Sequence, residues 1–145
     1  MRKTTSGFTI VELLVVIAVI GILTTVGLFS FSTIQSNARN SQRSSKITAI
    51  AEALEKYYDQ NGEYPSCTAM YQSASVILPD LDPSNLATPT AASGANSILN
   101  NCNDLTTSSD SFAYVGSSCT TTCLKYTLKY RDEISGSYIS LSSRR

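Results

Sequence analysis

GFTIVELLVVIAVIGILTTVGLFSF, residues 7–31, contains a single charged side chain, that of Glu12. From Phe8 onward the run holds 24 residues. At ~1.5 Å per residue, a helix of this length crosses the ~30 Å hydrocarbon core of a bilayer with some tilt. We therefore predict a long N-terminal helix that enters a membrane. Arg2 and Lys3 precede the run and favour a cytoplasmic N-terminus, although basic residues beyond the run weaken that orientation argument.

A secretory signal peptide is the alternative interpretation, because it has the same basic start and an apolar core of about 7–15 residues. Here the apolar run continues past the point where a small-residue cleavage site is expected, and Glu12 lies inside it. A carboxylate is costly in lipid, so an acidic residue within a membrane segment is a candidate functional residue by default. Glu12 is therefore the first candidate site residue.

The order Gly7-Phe8-Thr9-Ile10-Val11-Glu12, followed by the apolar run, resembles the N-terminal signature of type IV prepilins and type II secretion pseudopilins. That family has a short basic leader that ends in Gly, then Phe, and a Glu as the fifth residue of the mature chain. The resemblance implies that a prepilin peptidase cuts between Gly7 and Phe8 and that Phe8 is N-methylated. It also implies that Glu12 neutralises the N-terminal ammonium of a neighbouring subunit during assembly.

The expected domains are a leader at 1–7, a transmembrane and assembly helix at 8–36, and a globular head at 37–145. Apolar residues recur at three- and four-residue steps from Ile47 to Tyr58, which indicates that the helix continues to about residue 60. Asn61-Gly62 is a stop signal. The polar stretch 34–46 is interpreted as a solvated helix surface, and a flexible neck is the alternative. Residues 37–65 also resemble the membrane-distal helix and following turn of pilins.

Residues 61–111 are rich in Ser, Thr, Asn and Pro and are predicted to form a long loop. Four cysteines lie in the head and none in the first helix, which favours two disulfides over a zinc site, because the chain has no His. The preferred pairing is Cys67 with Cys102 and Cys119 with Cys123, and the other two connectivities stay open. We interpret the acidic residues of the loops as turn and cap residues and expect no metal: Asp80, Asp82, Asp104 and Asp110.

The remaining sequence, 112–142, predicts an antiparallel sheet with strands at 112–115, 124–131 and 137–141. In the second strand apolar residues alternate with Lys125, Lys129 and Arg131, a pattern typical of a half-buried strand. These three cations are candidates for a DNA contact through phosphates. A solvated strand face that guards against edge pairing explains them as well.

The predicted fold class is therefore α+β, a long N-terminal helix whose distal half packs on a small antiparallel sheet. Eleven basic and eleven acidic residues leave no net charge to favour a nucleic-acid partner, and without His the chain offers little for catalysis. We expect no enzyme and no cofactor.

The resemblance implies a type IV pilus subunit for adhesion, motility or DNA uptake, and a type II secretion pseudopilin is the alternative. A signal-anchored surface binding module that does not polymerise is a further alternative. The implied partners are copies of the chain, related minor pilins, the prepilin peptidase and the inner-membrane assembly platform. The implied location is the cytoplasmic membrane, with the head outside, and then a cell-surface pilus.

Overall fold

The structure, a computed structural model, describes residues 7–92, 94–99, 111–117, 119 and 121–145, and the side chains of residues 26–30 lie outside this description. The chain divides into two compact units, Met1–Ser36 and Asn37–Arg145. Helix α1, Ile10–Asn61, contributes residues to both units. Among the described residues, no helix combines the length and hydropathy that a bilayer crossing requires. The membrane span of residues 8–36 stays a prediction.

Helix α1 ends where the sequence predicts. Gly62 adopts a positive φ of 78°, which a side chain would disfavour, and its N–H donates to the carbonyl of Tyr58 at 2.7 Å. The Asn61 side chain donates to the carbonyl of Tyr57 at 2.8 Å. The first bond satisfies a carbonyl of the last turn that the helix leaves without an intrahelical partner, and the second adds a side-chain donor to that turn. The stop signal Asn61-Gly62 is therefore confirmed.

A helix that the sequence analysis missed lies inside the segment predicted as a loop. Helix α2 spans Cys67–Ile77, and the Ser66 hydroxyl caps it by accepting the N–H of Ala69 at 3.2 Å. Met70, Ala74 and Leu78 recur at steps of four residues, and all three are buried. Abundant Ser and Thr concealed this short apolar stripe. A 3-10 turn follows at Pro83–Leu86, and Asp82 caps it by accepting the N–H of Ser84 at 2.8 Å.

Three antiparallel strands follow in the order β1-β2-β3: Ala113–Ser117, Lys125–Arg131 and Tyr138–Ser142. The predicted α+β class and antiparallel sheet are confirmed. The predicted start of the second strand is wrong by one residue, because Leu124 precedes β2 and is exposed. In β2 itself Tyr126, Leu128 and Tyr130 are buried. Together with Ile50 and Leu54 of α1 they belong to one core cluster within the unit Asn37–Arg145.

Candidate functional site

The start of helix α1 is fixed by a capping box between Thr9 and Glu12. The Thr9 hydroxyl accepts the N–H of Glu12 at 3.2 Å, and Glu12 Oε2 accepts the Thr9 N–H at 2.9 Å and the Thr9 hydroxyl at 2.8 Å. The helix therefore starts at Ile10, and Gly7, Phe8 and Thr9 lie outside it. The predicted cleavage point, the Gly7–Phe8 peptide bond, is in non-helical backbone, and Phe8 is 79% exposed.

The apolar side chains that follow are uncovered. Every large apolar residue from Ile10 to Leu23 is at least 47% exposed. This is the reverse of a soluble domain, in which contiguous apolar patches beyond a few hundred Å² are rare. Such a surface is stable only against lipid or against other apolar helices, so the segment is suited to insertion and to packing with further chains.

The polar stretch of α1 contacts the turn after β2 within the head, whereas the sequence analysis interpreted this stretch as solvated. Arg39 Nη2 lies 2.7 Å from Glu133 Oε2, and the fully buried Arg43 pairs with Glu133 Oε1. Asn40 donates to Asp132 at 2.7 Å and accepts the N–H of Glu133 at 3.1 Å. These contacts clamp the turn between β2 and β3 onto the helix. Because Asp132 and Glu133 lie far along the chain from these helix residues, no local pattern in the sequence indicated the contacts.

The charge network of this clamp lowers the pKa of Glu133, first through the hydrogen bond from Arg39 and then through Arg43. The pKa of Asp132 is lowered as well, first by the backbone N–H of Ser135, which its side chain accepts at 2.6 Å. Asp132 also accepts the N–H of Ile134 at 2.9 Å. Both carboxylates therefore stabilise the turn in their ionised form.

A second network ties the end of the chain to α1. Glu55 accepts hydrogen bonds from the hydroxyl groups of Tyr64 at 3.0 Å and Tyr126 at 3.2 Å, and from the backbone N–H of Arg144 at 3.2 Å. Burial, together with the hydrogen bond to Glu55, raises the pKa of Tyr64 to about 12. Burial also raises the pKa of Tyr126. These phenols therefore stay neutral donors at physiological pH.

The predicted Cys119–Cys123 disulfide is confirmed, with the two Cα atoms 4.1 Å apart. Cys67 is disulfide-bonded too, and its predicted partner Cys102 lies outside the described residues. The Cys119–Cys123 bridge packs directly over Gly116 of β1. A Cβ atom at Gly116 would lie 2.3 Å from Cys123 Sγ and 2.7 Å from Cys119 Sγ. Only glycine fits beneath this bridge.

The three basic residues of the sequence prediction share the outward face of β2. Lys125 and Arg131 are exposed and Lys129 is half-buried, whereas the alternate residues of the strand are buried. Strands β1, β2 and β3 contain no Asp or Glu. Strand β2 is central in the described sheet, so its cations lie on a solvated strand face but do not guard a sheet edge.

The acidic residues of the loops have structural partners where the structure describes them. Asp80 pairs with Lys56, and Asp82 caps the 3-10 turn. Asp104 and Asp110 lie outside the described residues. Among the residues that the structure describes, no group of three or more His, Cys, Asp or Glu side chains is arranged to hold a metal ion.

Comparison with known proteins points to the N-terminal segment. Residues 2–28 match the family model for the prokaryotic N-terminal methylation motif. Over 66 residues the chain is 35% identical to a fimbrial protein of Neisseria meningitidis serogroup A / serotype 4A (strain DSM 15465 / Z2491). That match covers 46% of this chain and 39% of the relative, so the chain spans about two fifths of the length of that protein. No solved structure matches the chain.

Proposed function

We propose that the chain is the precursor of a type IV pilus subunit, because residues 2–28 match the prokaryotic N-terminal methylation motif and part of the chain is similar to a fimbrial protein. In this proposal a prepilin peptidase cuts between Gly7 and Phe8, and the new N-terminus at Phe8 is methylated. The subunit waits in the cytoplasmic membrane with its head outside. It then polymerises through α1, with copies of itself and related minor pilins, on the inner-membrane assembly platform. Its role is structural and involves no cofactor.

The observation that carries this proposal is the uncovered apolar surface of α1 directly behind an accessible Gly7–Phe8 bond. In this proposal the exposed side chains from Ile10 to Leu23 contact lipid before assembly and pack against the same helix of other subunits afterwards. The capping box fixes the start of the helix, so that the scissile bond lies in non-helical backbone in front of it. An anchor alone would need the apolar run and would have no use for the Gly-Phe junction or for Glu12.

The geometry of Glu12 is compatible with a role in assembly. Its Oε2 atom serves the Thr9 cap, whereas Oε1 has no hydrogen-bond partner among the described residues. An ionised carboxylate accepts at both oxygens, so Oε1 is available to the methylated amine of a neighbouring Phe8 while the cap stays closed. A positive amine at a helix N-terminus is unfavourable beside the helix dipole, and the carboxylate of another subunit relieves that cost. The pair specifies the axial position of one subunit against the next.

A matched pair of variants separates the cap from the charge. Glu12→Gln keeps an acceptor for Thr9 but has no charge, whereas Glu12→Ala removes both. We expect both variants to be inserted and trimmed and both to form few filaments, measured as the ratio of sheared filament protein to membrane-pool protein. Mass spectrometry of the wild-type filament is expected to give N-methylated Phe8 as the first residue. An intact Met1, or normal filament yield from Glu12→Gln, contradicts the proposal.

The same experiments separate the pilus from its alternatives. A type II secretion pseudopilin shares the leader cleavage and the role of Glu12, but it forms a short periplasmic filament and its loss blocks protein secretion. A signal-anchored binding module forms no filament at all. Long surface filaments that contain the tagged chain, together with normal secretion in its deletion strain, support the pilus.

DNA contact through β2 is a second candidate function. Lys125, Lys129 and Arg131 share one face, and the three strands of the sheet carry no carboxylate to oppose them. Phosphate contacts of this kind weaken steeply as salt rises. A triple Ala variant is expected to assemble normally, because these side chains point away from the core, and to lose salt-sensitive DNA retention. Unchanged retention by the variant filaments contradicts a contact at this face.

A further inference from the structure

The two cysteines of the Cys119–Cys123 bridge differ in their access to solvent. Cys119 is exposed, whereas Cys123 is only 1% exposed and belongs to the core cluster. Thiol–disulfide exchange begins when a thiolate reaches one of the two sulfur atoms, and its rate depends on that access. An external thiolate can therefore reach this bridge from the side of Cys119, and the thiol that leaves is that of Cys123.

Contacts that do not involve the bridge hold Cys123 in place. The Tyr64 N–H donates to the carbonyl of Cys123 at 2.8 Å, and the Cys123 N–H donates to the carbonyl of Tyr64 at 2.9 Å. The neighbouring Thr122 hydroxyl donates to Glu63. Gly116 of β1 lies directly against the Cys123 sulfur atom, because a Cβ atom at Gly116 would be 2.3 Å from it. Cys123 therefore keeps its position when the bridge opens.

The bridge also closes a very short loop, since its two cysteines have a sequence separation of 4. In the chain-entropy model a disulfide constrains the unfolded state less as its loop becomes shorter. The core around Cys123 is built by side chains of α1, α2 and the sheet, including Leu54, Met70 and Leu128. Most of the apolar contacts that stabilise the head thus remain when this bridge is reduced. Cys67 differs from Cys119, because it is disulfide-bonded but buried in α2.

We propose that the Cys119–Cys123 bridge is a thiol-exchange site of the folded head, and that its substrate is a dithiol that attacks Cys119. A thiolate of the dithiol forms a new S–S bond with Cys119 Sγ. The Cys119–Cys123 bond breaks in the same step, and its electron pair leaves on Cys123 Sγ, which takes up a proton. The second thiol of the dithiol then attacks the first sulfur atom of the dithiol in this mixed disulfide, which releases Cys119 as a thiol. The dithiol is oxidised to a disulfide by two electrons, and the bridge is reduced to two thiols.

The fixed position of Cys123 explains why a dithiol is required. After attack by a monothiol, the Cys123 thiolate stays beside the mixed disulfide on Cys119 and displaces the monothiol again. A dithiol escapes this reversal, because its second thiol is held close by the same molecule. The reverse sequence closes the bridge: the Cys119 thiolate attacks an oxidised partner, and Cys123 resolves the mixed disulfide. The exchange involves the head alone, so it does not depend on polymerisation through α1.

The wild-type chain tests the selectivity of this site without any substitution. The full chain in mild detergent is treated with dithiothreitol, a small dithiol, and samples are transferred at intervals into denaturant that contains N-ethylmaleimide. Peptide mass spectrometry then gives the reduced fraction of each cysteine. We expect Cys119 and Cys123 to be reduced together and about tenfold faster than Cys67, with unchanged far-UV circular dichroism. The monothiol glutathione, at the same thiol concentration, is expected to reduce the bridge far less. Equal reduction of Cys67, or unfolding as the bridge opens, overturns the proposal.

A matched pair of variants identifies the sulfur atom that is attacked. Cys123→Ala leaves the thiol of Cys119, and Cys119→Ala leaves that of Cys123. Oxidised glutathione is the probe for both folded chains, and its adduct is followed by mass spectrometry. We expect the adduct to form about tenfold faster on Cys119 than on Cys123, and the two rates to converge in urea, where burial is lost. Peptide mapping of Cys67 controls for exchange with its own bridge.

The fate of the adduct tests the role of Cys123. In the Cys123→Ala chain the adduct on Cys119 is expected to persist, whereas in the reduced wild-type chain it is expected to give way to the closed bridge. Equal rates on the two thiols of the folded variants, or a lasting adduct on the wild type, contradict the proposal. A variant that does not fold is recognised by its circular dichroism and by rates that urea leaves unchanged. The reduction rates of the wild-type chain then decide.

Discussion

Arg43 and Glu133 lie 90 residues apart in the sequence and form an ion pair in which the guanidinium is fully buried. A buried charge is tolerated only when it is paired and hydrogen-bonded. Glu133 therefore determines how the turn after β2 sits on α1. The pair specifies the position of that turn more than it adds stability, since buried ion pairs recover little beyond their desolvation cost.

Removing one partner of this pair is expected to destabilise the head strongly. Glu133→Gln leaves the Arg43 guanidinium buried and uncompensated, and we expect a loss of about 3–5 kcal/mol in the free energy of unfolding. Arg43→Met, which fills the same space without a charge, is expected to cost less. Thermal unfolding of the full chain in mild detergent measures both. A smaller loss for Glu133→Gln than for Arg43→Met contradicts the burial argument.

The same turn predicts a loss of stability in acid. The pKa of Glu133 is lower in the folded chain than the ordinary value of 4.5, so the folded state releases this proton more readily than the unfolded state. The contribution is therefore fully present above about pH 4.5 and is lost as the pH falls through the folded-state pKa. Urea unfolding across this range is expected to show a steeper decline in the wild type than in Glu133→Gln. Parallel declines show that other carboxylates dominate.

At alkaline pH the tyrosine network has the opposite pH dependence, because its contribution to the free energy of unfolding falls as the pH rises. The pKa of Tyr64 is raised from 10.0 to about 12, so the unfolded state loses the phenol proton first. The stability from this group is complete below about pH 10 and disappears as the pH rises through about 12. Tyr64→Phe is expected to cost about 1 kcal/mol at neutral pH, from its hydrogen bond to Glu55, and to flatten the alkaline decline. An unchanged alkaline slope in Tyr64→Phe rejects this assignment.

Gly116 predicts a dependence on the neighbouring disulfide. Gly116→Ala places a methyl group against both sulfur atoms of Cys119–Cys123, and we expect about 1–3 kcal/mol of destabilisation. In a chain that also carries Cys119→Ala and Cys123→Ala, the same substitution is expected to cost less, because the sulfur atoms are gone. The difference between the two costs, measured as a double-mutant cycle, isolates the contact. Equal costs in both backgrounds indicate that the bridge does not press on Gly116.

The parts of the fold that sequence predicted are those with a local signal. Asn61-Gly62 marks the end of α1, and the alternation in β2 shows on which face Tyr126 and Leu128 are buried, because each depends on neighbouring residues alone. Helix α2 has only three buried apolar positions among Ser and Thr, too few for its period to be recognised. In the candidate site, Glu12 stood out because it is charged within an apolar run, but its bonds to Thr9 were overlooked although the residues fit a capping box.

The role of Arg39 and Arg43 was not predictable, because their partner Glu133 follows 94 and 90 residues later. In a sequence, a basic residue on a polar helix gives the same pattern whether its side chain is solvated or pairs with a distant carboxylate. The position of β3 at the end of the described sheet was equally hidden. Strand order depends on which strands pair, and a list of strands in chain order does not specify it.

The separation between Arg43 and Glu133 also sets when the head can fold during synthesis. The helix segment that carries Arg43 leaves the ribosome early, whereas Glu133 is added after β1 and β2 are complete. Until then the guanidinium lacks the carboxylate of Glu133. A nascent chain that stops before residue 133 therefore lacks the ion pair that positions the turn after β2 on α1. The N-terminal helix is thus synthesised well before the head acquires its native shape.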